Sequence, residues 1–323
     1  MTSLWEEVPI CGLCGSTAWR PAGAVCQRRF AVCVECGVRR LYDRVAENNL
    51  GLLYADYYPV VDPSPAELEV QLRNPTFRHR RARLAVCIGD REHRILELGC
   101  GDGNFLAVMR RAGWRVAGSE FGADTAALVQ RRHGIPVFVG NIADRTPPDS
   151  PFPVVAAYHV LEHAYHPATW LRRVRQLIEP EGLLHIQVPN DASLTHLMAG
   201  DAWASIVFPQ HVYFYRPATL AALLAREGFS VLAVTTWDPW HGPGQLANSL
   251  KNVVRRAATG QLPWTDRLDA RGPMVMASEA NTPGALWRTA PRLVIDGVAI
   301  PLARVEAALG RGAVVDIIAE RRD

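Results

Sequence analysis

From residue 94 onward the chain alternates short apolar runs with amphipathic stretches. No other feature limits the possible folds as much. Strands are expected at 94–98, 115–119, 136–139, 154–158, 183–188 and 230–235, and helices at 104–112, 124–133, 167–178 and 217–227. Asp124 is expected to cap the second helix, and Gly228 to close the fourth. Parallel neighbours in a sheet need a crossover, and a helix supplies it, so repeated units of this length imply an α/β, doubly wound, Rossmann-like sheet. The run AVVDIIA at 313–319 reads as a final strand. Residues 245–256 carry a helical apolar stripe and 258–290 read as a long loop, so 237–312 is an insertion between the last two strands.

The 323 residues are 49% hydrophobic and 21% charged, a folded composition. No apolar run reaches the ~18 residues of a membrane span. The N-terminus lacks the basic and apolar regions of a secretory signal, so a cytoplasmic protein is expected. A net charge of +3 is a weak field and argues against nucleic acid as a partner. Of 35 basic residues only Lys251 is a lysine, which leaves Schiff-base chemistry no other position.

Seven cysteines, an odd number, fit a reduced compartment. Four form Cys11-x2-Cys14 and, eighteen residues on, Cys33-x2-Cys36, each pair followed by glycine. This is the spacing of a four-thiolate zinc site, and the glycines ease the tight turn that aims amides at sulfur. Four thiolates leave no open position, so the zinc is expected to be structural, stapling a ribbon over 1–44 that is too small for a core of its own. Cys26 is expected to be a spectator or a strand residue. Residues 45–92 read as a mostly helical linker or lid, with helices over 66–86. The run Arg78-His79-Arg80-Arg81-Ala82-Arg83 is expected to be a solvated helix face, with a phosphate or RNA contact as the alternative.

The loop after the first strand of the alternating region is Leu98-Gly99-Cys100-Gly101-Asp102-Gly103-Asn104. Alternate glycines let the backbone turn sharply and approach a ligand. Glu120 ends the next strand, 21 residues after Gly99, where an acid can bind two ribose hydroxyls. The nicotinamide fingerprint would require glycine where Asn104 stands.

This GxGxG loop resembles motif I of class I S-adenosylmethionine-dependent methyltransferases, and the resemblance runs through most of 93–235. Glu120 matches the ribose-binding acid. Asn141-Ile142 match the pair that holds adenine, with Asn where Asp is commoner. Tyr158-His-Val-Leu-Glu-His163 matches the segment after the fourth strand, Glu181-Gly182 the turn into the fifth, and His211-Val-Tyr-Phe-Tyr215 a segment of small-molecule methyltransferases. The resemblance implies a seven-stranded sheet of order 3-2-1-4-5-7-6, formed by 93–236 and 313–323. It also implies a cofactor site of Glu97, Gly99, Cys100, Gly101, Gly103, Asn104, Glu120, Phe121, Asn141, Ile142, Tyr158 and His159. A CxxC…CxxC module ahead of such a domain resembles bacterial enzymes that methylate sugars or secondary-metabolite intermediates. Those sugar enzymes often carry a further C-terminal domain that has no counterpart here. Zinc-ribbon RNA methyltransferases are the alternative, lowered because neither (N/D)PP(Y/F) nor a catalytic cysteine follows the fourth strand.

Methyl transfer to oxygen or carbon usually needs a base, and His163, His211 and His159 are the candidates. Tyr54, Tyr57, Tyr58, Trp203 and Tyr213 are candidates for contact with a small-molecule methyl acceptor. Oligomeric state is not legible.

Overall fold

The structure, a computed structural model, describes residues 4–50, 63–262 and 286–323. It divides into two compact units: Met1–Pro59, Pro189–Tyr215 and Thr236–Val314 form one, and Val60–Val188, Arg216–Thr235 and Val315–Asp323 the other.

In chain order, β1 (Trp5–Glu7), β2 (Trp19–Val25), β3 (Arg28–Cys33), β4 (Arg39–Leu41) and β5 (Asp43–Val45) come first, then α1 (Pro65–Leu72) and α2 (Pro75–Cys87). The alternating region holds β6 (Arg94–Leu98), α3 (Asn104–Arg111), β7 (Arg115–Glu120), α4 (Ala123–His133), β8 (Val137–Val139), β9 (Phe152–Tyr158), α5 (Pro167–Gln176) and β10 (Ile178–Pro189). It is followed by α6 (Leu194–Ala199), β11 (Tyr213–Phe214), α7 (Pro217–Arg226), β12 (Phe229–Thr235), α8 (His241–Thr259), α9 (Leu286–Ala308) and β13 (Val314–Arg321).

The second unit is built on a seven-stranded sheet of order β12-β13-β10-β9-β6-β7-β8. Counting its strands along the chain gives the expected 3-2-1-4-5-7-6. The pairs β6–β7, β6–β9, β7–β8 and β9–β10 are parallel, and β12–β13 is antiparallel. Every residue of β9 is buried, as an apolar strand covered on both faces requires. Leu106 and Met109 of α3 and Val129 of α4 pack with Ile95, Val154 and Leu183 into its core. The stretch expected to hold one or two helices holds two, because Asn74 precedes a proline and leaves the helical region; its side chain then caps α2 through the Thr76 amide at 2.9 Å.

In the first unit, β11-β4-β3-β2 form an antiparallel sheet and β1 pairs with β5. Phe30, Leu41, Trp203, Ile206, Phe208 and Phe214 fill its core. The N-terminal cysteine segment thus shares a sheet with β11, some 170 residues further along the chain.

Several expectations are corrected. Asp124 lies inside the first turn of α4, whose cap is Gly122 without a side-chain bond. Of the two expectations for Cys26, the strand is corrected: it is in the two-residue turn between β2 and β3, with φ +48°, outside the four-cysteine group. The expected loop over 258–290 ends early, since α9 starts at Leu286; residues 263–285 lie outside the described residues. The basic run is not uniformly solvated: Arg78 and Arg81 are exposed, Arg80 is buried and Arg83 half-buried.

Candidate cofactor site and cysteine cluster

Between β6 and α3 the chain reverses through three left-handed residues, Gly99, Gly101 and Gly103 (φ +64°, +52° and +72°). A Cβ on Gly99 would lie 2.8 Å from Val160 Cγ2, and one on Gly103 2.6 Å from Val129 Cγ1. At Gly101 a Cβ would meet nothing within 4 Å, so that side of the loop is open. The Gly101 amide donates to Glu120 Oε2 at 3.0 Å, and the Phe121 amide to Oε1 at 2.8 Å. Two backbone donors thus fix the Glu120 carboxylate at the carboxyl end of β7, beside the glycine loop. The Cys100 amide donates to the Ser119 carbonyl at 3.1 Å.

Asn104 explains why glycine is not wanted at its position. It is buried, its Nδ2 donates to Asp102 at 2.6 Å and to Gln71 at 3.2 Å, and its Oδ1 lies 3.2 Å from His133 Nε2. It clamps the loop to α1 and α4. Ile142 is buried, Phe121 is 66% exposed, and Asn141 Oδ1 accepts from the Ala143 amide at 3.0 Å.

A polar network that sequence reading did not assemble runs through the same sheet. The Tyr158 hydroxyl donates to His185 Nδ1 at 2.8 Å, and His185 Nε2 donates to Asp316 at 3.0 Å. Gln187 Nε2 donates to Asp316 at 3.1 Å, and Arg80 Nη2 to Gln187 Oε1 at 2.6 Å. Arg83 Nε pairs with Asp316 at 2.8 Å. His185, Gln187 and Asp316 are fully buried. Burial opposes the Asp316 charge, but the hydrogen bond from His185 and the charges of Arg83 and Arg80 outweigh it and hold the carboxyl below its usual range. The Arg80 guanidinium stacks over the Tyr158 ring, 3.8 Å from its centroid. The signal was present in the sequence: His185, Gln187 and Asp316 are polar residues inside otherwise apolar strands.

Among the described residues, two polar atoms of this neighbourhood, Arg80 Nε and Glu97 Oε2, are buried without a hydrogen-bond partner. Burial pushes the Glu97 carboxyl well above its usual range, with the Arg80 charge pulling the other way. A buried donor and a buried acceptor left open suit a ligand carrying both a carboxylate and an ammonium group, as the amino-acid end of S-adenosylmethionine does.

His159 follows β9 in the left-handed region (φ +57°), its amide donating to the Gln187 carbonyl at 2.8 Å. Its Nδ1 lies 3.1 Å from Oε1 of the fully buried Glu162. His163 ends the same short turn and is half-buried. His211 belongs to the first unit, its Nδ1 2.8 Å from the Ser205 carbonyl. Trp203 and Tyr213 are also in the first unit and fully enclosed: Trp203 stacks on His196 at 4.3 Å, and the Tyr213 hydroxyl accepts from Arg40 at 3.5 Å. Both are packing residues there. Tyr54, Tyr57 and Tyr58 lie outside the described residues.

The ligand atoms of Cys11, Cys14, Cys33 and Cys36 all lie within 4.8 Å of one another. The Sγ separations are 3.7 Å for Cys11–Cys36 and 3.5 Å for Cys14–Cys33. Tetrahedral Zn–S bonds of about 2.3 Å set sulfurs about 3.8 Å apart, so the four thiolates are gathered close to the geometry zinc requires. The Gly15 and Gly37 amides close the two turns onto the carbonyls of Cys11 and Cys33 at 2.9 and 3.0 Å. Among the described residues no helix is long and apolar enough to cross a membrane.

A family model described as a methyltransferase domain matches residues 57–234, more than half of the chain. A protein of Mycolicibacterium smegmatis named as a probable S-adenosylmethionine-dependent methyltransferase is 27% identical over 199 residues, 59% of this chain and 75% of that protein. A ubiquinone biosynthesis O-methyltransferase of Pseudomonas aeruginosa is 28% identical over 171 residues, 49% of this chain and 74% of its own length. A solved SAM-dependent methyltransferase from Archaeoglobus fulgidus aligns with TM-score 0.47 and 17% identity, over 80% of this chain and 100% of that one. The chain belongs to the S-adenosylmethionine-dependent methyltransferases of that methyltransferase-domain family.

Proposed function

We propose that this methyltransferase moves the methyl group of S-adenosylmethionine onto an oxygen or carbon of a small molecule, a sugar or natural-product intermediate. The observation that carries the reading is the carboxylate-backed imidazole at the end of β9. Glu162, buried against His159 Nδ1, orients the ring and supports its positive charge once the ring has accepted a proton. Hydroxyl and carbon acids need such a base, whereas a free amine needs none. The ubiquinone O-methyltransferase relative is compatible with an oxygen acceptor.

When bound, S-adenosylmethionine supplies a sulfonium-activated methyl with its leaving group attached. Glu120 holds the ribose hydroxyls, and the open face at Gly101 admits the cofactor's backbone-facing edge. Phe121, Asn141 and Ile142 hold the adenine. Glu97 and Arg80 hold the ammonium and carboxylate of the amino-acid end. Gly99, Cys100, Gly103 and Asn104 shape the loop, and Tyr158 anchors its floor through the His185–Asp316 network. His159 takes the acceptor's proton, with His163 and His211 as the alternative proton acceptors. Cys11, Cys14, Cys33 and Cys36 hold a structural zinc ion. The zinc-ribbon RNA methyltransferase reading loses its main support, because Arg80 and Arg83 of the basic run are engaged inside the sheet network rather than presented to a polyanion.

The test is calorimetric binding of S-adenosylmethionine, followed by turnover against sugar, phenol and carbon-acid acceptors. His159→Ala should leave cofactor affinity near wild type and lower kcat by about 10²–10⁴. Wild-type protein that folds without binding the cofactor, or His159→Ala with full kcat, overturns the reading.

A further inference from the structure

Arg40, in the middle of β4, is one of the largest fully buried side chains of the molecule. Its Nη1 donates to the carbonyl of Ile10 at 3.1 Å, the residue directly before Cys11, and to the Tyr213 hydroxyl at 3.5 Å. Its guanidinium lies 4.3 Å from the centroid of the Trp19 ring and 5.6 Å from that of Tyr42. Nε and Nη2 are buried without a hydrogen-bond partner. Three arginines of the same unit meet a carboxylate: Arg29 of β3 meets Asp43, Arg39 of β4 meets Asp191, and Arg44 of β5 meets Glu6. Arg40 has no such ion pair among the described residues. A buried cation without a counter-charge is costly, and natural cores rarely keep one.

The counter-charge is at hand in the adjoining segment. Four thiolates around one Zn²⁺ carry a net charge of −2, and in a low-dielectric interior that charge needs partners as much as a guanidinium does. The Ile10 carbonyl that Arg40 holds directly precedes Cys11, and Val38, two residues before Arg40, accepts from the Cys33 amide at 2.9 Å, so Arg40 and the cluster share one environment. We propose that Arg40 is the built-in counter-charge of the metal–thiolate cluster, a positioning residue that tunes its affinity for zinc without ligating the ion. The inference rests on the zinc reading above. It has a consequence that plain packing lacks: the Arg40 charge is a burden to the metal-free protein and an asset to the loaded one.

The experiment compares wild type, Arg40→Met, Arg40→Gln and Arg40→Lys as full-length chains, each stripped by a chelator and each reloaded with zinc or cobalt(II). Zinc affinity is read by competition with a chromophoric chelator, thiolate ligation by the cobalt charge-transfer band, and stability by thermal unfolding of both forms. Arg40→Met should weaken zinc binding by about tenfold or more, the range seen for groups just outside the ligands, and Arg40→Lys should recover most of the loss. The rise in Tm on zinc loading should shrink in Arg40→Met while the metal-free Tm holds or increases. If Arg40→Met does not fold, Arg40→Gln and Arg40→Lys give the same neutral-against-charged comparison. Wild-type affinity in the neutral variants, or an equal Tm loss in both forms, overturns the proposal. Wild type that takes up neither metal overturns the zinc reading itself, an outcome distinct from tight binding by wild type and variants alike.

Discussion

Arg80 and Arg40 are both arginines enclosed in protein, but their surroundings differ. In the seven-stranded unit, Arg80 hands its charge along a chain of donors through Gln187 to Asp316, where Arg83 and His185 also converge. In the cysteine-bearing unit, Arg40 meets a carbonyl, a phenol and two aromatic faces, with no carboxylate partner among the described residues. The first unit to be considered, the large sheet, has apolar strands enough to form its own core and can use polar residues to set the floor of a binding site. The cysteine-bearing unit has strands of two to seven residues, and its core of Phe30, Leu41, Trp203 and Phe214 draws on residues far along the chain. Buried charge in the first case is met by hydrogen bonds and ion pairs; in the second, the proposed partner is a metal–thiolate cluster.

That contrast can be broken most forcefully at the cysteines. Cys33→Ser should cost the cysteine-bearing unit on the order of 4–5 kcal/mol, as loss of a structural metal does, while amides of β6 and β9 keep their hydrogen-exchange protection. Equal loss of protection in both units would erase the distinction. Asp316→Ala strands Arg83 and His185 in the other unit and should cost about 3–5 kcal/mol by denaturant unfolding, with zinc affinity unchanged. The sign of the pH effect is fixed too. The Asp316 carboxyl is depressed in the folded state, so its contribution is present above its unfolded value and is lost as pH falls through the folded one. Asp316→Ala should therefore flatten the acid limb of the stability curve.

Glu120→Ala removes an acceptor held by two amides and should weaken S-adenosylmethionine binding by about 3 kcal/mol in calorimetry, roughly a hundredfold, with little change in stability. The smallest expected effect is at Glu97. Its carboxyl is raised by burial, so its contribution is complete below the unfolded carboxylate value and is lost as pH rises through the folded one. Glu97→Gln should raise the neutral-pH stability of the cofactor-free protein by about 1–2 kcal/mol while lowering cofactor affinity. A variant that loses stability at neutral pH would show that the buried carboxyl is structural.

The fold and the cofactor loop were legible because their information is local. Strand and helix periods, alternate glycines in one turn and an acid at a strand end all lie within a few residues of one another, and the sheet order follows from the family that those residues resemble. The paired CxxC turns were legible for the same reason. The errors share a cause as well. Arg80 and Arg83 read as a solvated face because their partners, Gln187 and Asp316, lie more than a hundred residues on. Asp124 read as a cap because residue type alone does not say where the first helical turn begins.

The amino-acid sequence by itself determined the strand–helix alternation, the glycine turn, the acid of Glu120 and the four-cysteine set, since each depends on backbone geometry or ligand chemistry within a short segment. Only the tertiary structure decided which polar residues are enclosed together. It joined Tyr158, His185, Gln187 and Asp316 across neighbouring strands, put Glu162 behind His159, and left Arg40 buried without a carboxylate among the described residues. The physical reason is that burial and charge pairing are properties of surroundings assembled from distant parts of the chain, and no short stretch of sequence contains them.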